Sequence, residues 1–146
     1  RYAIESSGKT TLPQKISAPE KNKLFTIEKN TVTDFGHNGI QFVLAAADLV
    51  IKDNVFDKVG MSGIFISGDA NDWYESGAVK DLTISNNRFV DCAYNNGSKG
   101  AMILIEPTNT TDETPVHENI KILGNQFESE GREPVVYKSV GDLVVE

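Results

Sequence analysis

A single cysteine, Cys92, excludes any intrachain disulfide in these 146 residues. It follows an apolar stretch and reads as a small buried hydrophobe, since a catalytic thiol needs a histidine placed to activate it. Positive charge is scarce, with 14 lysines and arginines against 21 aspartates and glutamates. That balance argues against a duplex nucleic-acid surface, which requires a basic face to neutralise phosphates, and suits neutral ligands. No apolar run approaches the ~20 residues of a membrane-spanning helix. The 2 histidines, His37 and His117, lack metal-ligand spacing, and both are expected in turns or at the surface. Nucleophile elbow, phosphate loop and zinc pattern are all missing, so no metal site is expected.

What the chain does have is one phrase used four times: an alternating apolar run that ends on an asparagine. It occurs as Leu24 to Asn30, Leu49 to Asn54, Leu82 to Asn87 and Ile120 to Asn125. A second apolar segment follows each time, at Gly39 to Val43, Gly63 to Ser67, Met102 to Glu106 and Pro134 to Lys138. Period-two alternation and β-branched content predict strands. A unit this short cannot bury its own apolar face and must stack on its copies. The asparagine intervals are 24, 33 and 38 residues, a constant coil with insertions. The predicted fold is all-β, a right-handed parallel β-helix of four to five coils. Its bends carry asparagine, which tolerates the left-handed backbone region and can bond amide to amide in a ladder. A leucine-rich repeat shares the alternating leucines before an asparagine, but its helical segment has no counterpart here. One domain over 1–146 is expected, with a fragmentary strand (Tyr2 to Ile4) and a loop in residues 1–23, then coils in 24–146. The abrupt start at Arg1 and the stop on Val144-Val145-Glu146 read as an excerpt of a longer protein, whose uncapped coil ends invite self-association.

Insertions fall at Gly68 to Ala78, Ala93 to Gly100 and Pro107 to Glu118. The first packs three carboxylates, an amide and two large aromatics into ten residues: Asp69, Asn71, Asp72, Trp73, Tyr74 and Glu75. That mix suits a sugar, because aromatic faces stack on the ring and carboxylates and amides bond its hydroxyls. The plain alternative is a lid over a coil edge with the acids capping turns. Aligning the second strands stacks Ile40/Phe42, Ile64/Ile66, Ile103/Ile105 and Val135/Tyr137 inward. Val43, Ser67, Glu106 and Lys138 then form a column at the strand ends. Glu106 is read either as a surface ion pair with Lys138 or as a carboxylate facing Asp69, Asp72 or Glu75. Glycoside hydrolysis needs two carboxyls, about 5 Å apart for retention or roughly 6.5–9.5 Å for inversion, and stacked coils permit both.

The stretch Ser62 to Ile84, with its Gly-Asp-Ala-Asn-Asp-Trp-Tyr-Glu-Ser-Gly loop, resembles bacterial β-helix glycosidases of glycoside hydrolase family 110, the α-1,3-galactosidases. Glu106-Pro107 and the run His117 to Phe127 are also similar, so the resemblance covers roughly residues 35 to 146. It implies an exported enzyme (secreted, periplasmic or at the cell surface) that cleaves terminal α-linked galactose with inversion and without an organic cofactor. The site would take Asp69, Asp72 and Glu106 as catalytic carboxylates, with Asn71, Trp73, Tyr74 and Glu75 binding the sugar. The family's Asp-Asp pair has no counterpart in this chain, so the resemblance implies one wall of the site here and part of the catalytic machinery elsewhere. Two other functions fit the same fold: a polysaccharide lyase or pectin-type hydrolase, which would want a basic groove, and a non-catalytic binding or stalk module of a surface protein.

Overall fold

A computed structural model describes residues 4–6, 23–42, 46–68, 78–95, 100–107 and 115–146. Strand β1 (Ile4–Ser6) precedes four turns of a solenoid. The first turn is β2 (Lys23–Glu28), β3 (Thr31–Phe35) and β4 (Ile40–Phe42), and the second β5 (Ala46–Lys52), β6 (Val55–Val59) and β7 (Ile64–Gly68). The third is β8 (Val79–Ser85), β9 (Arg88–Val90) and β10 (Ala101–Pro107). The fourth is β11 (His117–Leu123), β12 (Gln126–Glu128) and β13 (Glu133–Tyr137), followed by β14 (Val140–Val145). Like strands of successive turns pair into three sheets, β1-β4-β7-β10-β13, β2-β5-β8-β11-β14 and β3-β6-β9-β12. Every pairing is parallel. The fold is therefore the parallel β-helix, and the described residues contain no helix that a leucine-rich repeat would need. The first strand is described over Ile4–Ser6, with Ile4 registered on Ile40; Tyr2 and Ala3, where it is expected to begin, lie outside the described residues.

The core is built from columns of like residues one strand spacing apart. Ile64, Ile103 and Val135 continue Ile40, and Ile66, Ile105 and Tyr137 continue Phe42, as the alternation predicts. Tyr137 shares that register but is 57% exposed, because β13 is the last strand of its sheet. In the third sheet Phe56, Phe89 and Phe127 stack face to face, with ring centroids 4.9 and 5.2 Å apart.

The asparagine ladder is formed. The backbone N–H and the amide Nδ2 of Asn30 both donate to Asn54 Oδ1, at 3.0 and 3.1 Å. Asn54 donates in the same way to Asn87, and Asn87 to Asn125. The left-handed backbone, however, lies one residue earlier than expected. Lys29, Asp53, Asn86 and Gly124 carry φ of 56°, 56°, 53° and 64°. The bend is thus shared: the preceding residue turns the chain, and the asparagine, outside the left-handed region, ties it to the next coil.

A second left-handed column interrupts the strands of the second sheet. Asp48, Asp81, Asn119 and Asp142 have φ between 53° and 57° and precede the registered residues Leu49, Leu82, Ile120 and Leu143. Short polar residues hold this conformation at least cost because they bond locally. Asn119 Nδ2 donates to Asp81 Oδ1. Each such residue breaks the in–out alternation, with a consequence for the site.

Candidate functional site

Two of the three insertions leave the coil at the C-terminal ends of the first sheet; the one at Ala93 to Gly100 lies between β9 and β10. Gly68 ends β7 and Pro107 ends β10, and the two are in register. The segments that follow return on neighbouring strands too, at Val79 and His117. Two long excursions therefore depart one strand spacing apart and re-enter one strand spacing apart. Glu106 stands at their root. It is half-buried, points away from the core by alternation with Ile105, and is registered on Ser67. Ser67 is buried and donates through Oγ to the Phe42 carbonyl at 3.0 Å.

The outer face beside Glu106 is buried at Leu104 and Gln41, half-buried at Phe65 and open at Val136, which is 42% exposed. Ile64 and Ile66 are fully buried inward, which turns Phe65 outward, and Leu104 is its registered neighbour. Leu104 is 5% exposed and Gln41, next in the row, 3%. Gln41 Oε1 accepts from Asn38 Nδ2 at 2.9 Å. A parallel sheet buried on both faces needs apolar residues at successive positions, which Ile64-Phe65-Ile66 and Ile103-Leu104-Ile105 supply. A carboxylate at the end of such a strip can both bond a hydroxyl and exchange a proton beside apolar surface, as sugar chemistry requires. Phe65 and Leu104 were not marked by the sequence pattern as functional; runs without polar interruption are their signal.

The ion pair anticipated between Glu106 and Lys138 is not made. The pairs among the described residues are Lys52–Glu28, Lys80–Glu118 and Arg88–Glu128. Lys138 does follow Glu106 in register, its backbone N–H donating to Ile105 O at 2.9 Å, but its side chain is exposed. Holding two long side chains together at a wet surface gains little. Asp69, Asn71, Asp72, Trp73, Tyr74 and Glu75 lie outside the described residues, as does Val43. Of the residues assigned to the site, the structure describes Glu106.

Cys92 is the buried small residue expected. Its Sγ donates to the Phe56 carbonyl at 3.3 Å, and burial pushes its thiol up to about 11.

His117 corrects the expectation of a surface histidine. It opens β11, which therefore begins inside the supposed insertion, and it is 0% exposed. Counting back from Ile120 by strict alternation puts Glu118 inside and His117 outside. The left-handed residue Asn119 reverses that parity, as Asp81 does for Val79. His117 Nδ1 accepts the Val79 N–H at 3.0 Å. Burial lowers the imidazole to about 4, so it is neutral in the folded chain at pH 7. The folded value lies below the unfolded one, so this contribution is complete above pH 6.5 and is lost as pH falls toward 4. About 3 kcal/mol of stability should disappear across that window. Urea melts at pH 7 and pH 4 measure the loss, and His117→Asn should abolish most of this pH dependence; an equal loss in the variant would refute the assignment.

The solenoid is recognisable by sequence as well. Residues 19–145 match the family model of the right-handed beta helix region, and the chain belongs to that family. It is also similar to enzymes of known name. Alpha-1,3-galactosidase A of Bacteroides fragilis is 48% identical over 99 residues, 66% of this chain and 16% of that protein. Alpha-1,3-galactosidase A of Streptomyces avermitilis is 42% identical over 95 residues, 64% of this chain and 14% of the relative. Alpha-1,3-galactosidase B of Bacteroides thetaiotaomicron is 46% identical over 86 residues, covering 54% and 13%. The chain thus matches about a sixth or less of the length of these curated relatives.

Proposed function

We propose that this β-helix forms one wall of the sugar site of an exported glycoside hydrolase acting on terminal α-galactosides. The observation that carries the reading is the position of Glu106, half-buried beside Phe65 and Leu104 at the root of both excursions. The likeness to α-1,3-galactosidases supplies the sugar and the linkage class. In an inverting reaction one carboxylic acid protonates the glycosidic oxygen as the bond breaks. A second carboxylate takes a proton from the water that attacks the opposite face of the sugar. Glu106 and either Asp69 or Asp72 are assigned these roles, Trp73 the stacking platform, and Asn71, Tyr74 and Glu75 the hydroxyl contacts. The chain holds no Asp-Asp pair, so the proposal assigns sugar binding to this chain and hydrolysis to a longer protein.

Galactose and galactobiose should quench or enhance the fluorescence of Trp73, the 1 tryptophan, in a saturable way. By calorimetry, Trp73→Ala and Glu106→Gln should each weaken binding by about tenfold, the loss of one stacking or charged contact. Absence of saturation, or unchanged affinity in both variants, would sink the assignment.

Self-association belongs to the same proposal. Strands β12, β13 and β14 end their sheets, and Tyr137, Val144 and Val145 are exposed there at 57%, 39% and 49%. Edges of this kind pair with other edges. Light scattering at high concentration should find species larger than the monomer, and a monodisperse monomer would overturn the expectation.

A further inference from the structure

His117 occupies an unusual junction. Its imidazole joins the strands on which both excursions return, accepting at Nδ1 from the backbone N–H of Val79, the first residue of β8. It is held in turn from the next coil. The Val116 N–H donates to Ser139 Oγ at 2.9 Å, and the His117 N–H to Ser139 O at 3.1 Å. The other ring nitrogen, Nε2, is buried without a hydrogen-bond partner. Accepting at Nδ1 places the ring proton on Nε2, so this nitrogen is an unanswered donor. The ring is therefore held by one bond alone, and that bond is to the entry residue of the strand that receives segment 69–77.

We propose that His117 is a positioning residue for Val79, an acid-labile clasp that ties the first residue of β8 to β11. Protonation at Nδ1 turns the acceptor into a donor facing another donor, and the contact with Val79 is lost. The charged groups on the elements packed around it are Lys80 and Asp81 on β8, Asp142 on β14, Glu118 and Lys121 on β11, and Glu106 and Lys138 at the ends of the first sheet. Lys80 and Glu118 bond each other at 3.3 Å on the outer face. Burial is the cause of the lowered imidazole affinity for protons, with no named charge contributing. The clasp stands on hydrogen-bond geometry and burial; its role toward a sugar rests on the site proposed above.

The test follows the Val79 amide and the His117 ring by NMR in the full 146-residue chain from pH 7 to pH 3.5. At pH 7 the ring nitrogens should report the Nε2–H form. As the ring takes up a proton, Val79 exchange, corrected for its intrinsic pH dependence, should rise more than tenfold. The ladder amides of Asn54 and Asn87 should stay protected over the same range. His117→Asn, whose Oδ1 can accept the same bond and does not titrate, should keep Val79 protected throughout. An Nδ1–H ring at pH 7 would overturn the proposal. So would Val79 exchange indifferent to ring protonation, or Val79 released together with Asn54 and Asn87. A galactose titration of Trp73 fluorescence at each pH separates the two proposals. A response lost with the clasp in the parent and kept in His117→Asn links clasp to site. A missing response at every pH, with the exchange results as expected, removes the sugar site and leaves the clasp standing.

Discussion

Asn87→Leu should unfold the protein or leave it at the edge of stability. Through its side chain and its own N–H, Asn87 takes part in five hydrogen bonds that cross coils. Its Oδ1 accepts from the N–H and the Nδ2 of Asn54, both at 3.0 Å. Its own N–H and Nδ2 reach Asn125 Oδ1 at 2.9 and 3.0 Å, and Nδ2 also donates to Ile51 O. Leucine keeps the branched skeleton of asparagine without its hydrogen-bonding groups but is bulkier, so some cost of overpacking adds to the polar loss. What remains is a buried backbone N–H on Asn54 with no acceptor, one unpaired hydrogen on an Asn54 amide whose other bond, to Ile27 O, survives, and the Ile51 carbonyl with one donor fewer. Stranded buried groups cost about 1–3 kcal/mol each. The sum, on the order of 5 kcal/mol, is comparable with the whole stability of a domain this size. Asn30 is a control inside the same ladder: it is exposed, and among the described residues its side chain donates without accepting, so Asn30→Ala should cost about 1 kcal/mol. Urea midpoints followed by far-UV circular dichroism compare the two. A loss under 1 kcal/mol for Asn87→Leu would show that the ladder decorates the bend without holding it.

Phe89→Ala should cost about 3–5 kcal/mol, the range for a buried phenylalanine truncated in a core that cannot collapse. Phe89 is sandwiched between Phe56 and Phe127, with interplanar angles of 12° and 14°. Removing it deletes two stacking contacts and leaves the flanking rings about two strand spacings apart, held by the sheet and unable to close. The wall beside the stack is equally tight. A Cβ on Gly63 would lie 2.6 Å from two carbons of the Phe89 ring, which explains a glycine just before β7. Gly63→Ala should therefore destabilise the parent and do less harm when combined with Phe89→Leu, a coupling that a double-mutant cycle measures. Phe127→Ala should cost less than Phe89→Ala, because Phe127 is only half-buried. Equal losses at the two positions would contradict stacking as the source.

The coil was readable because its determinants recur. Four asparagines and the pairs Ile40/Phe42, Ile64/Ile66, Ile103/Ile105 and Val135/Tyr137 specify the bends and the register of the first sheet, and the observed pairing follows them. Strict alternation failed at His117, where Asn119 turns through a positive φ and swaps inside for outside. Nothing in an isolated His-Glu-Asn-Ile reveals that swap. The column Asp48, Asp81, Asn119 and Asp142 does reveal it, once the coils are stacked and a short polar residue appears before each buried aliphatic. Register likewise located Glu106 beside Ser67 but could not decide the side-chain contacts of Glu106, because long flexible side chains at a surface are not fixed by backbone pairing. The outer strip of Phe65 and Leu104 escaped notice for a different reason. An apolar residue on the outer face of a strand looks like core until both faces are counted.

The ladder has a consequence for how this architecture changes over time. Successive asparagines are separated by 24, 33 and 38 residues, yet each step makes the same pair of amide and backbone bonds to Oδ1. The asparagine corner acts as a datum that is indifferent to what the rest of the turn contains. Closing a longer turn adds little: going from 24 to 38 residues costs about 0.4 kcal/mol of loop entropy. The corner after the first sheet therefore works as a cartridge bay, where segments of different length and chemistry can be exchanged without retuning the stack. Specificity for a new ligand can then change by replacing a cartridge while the spool that carries it stays as it is.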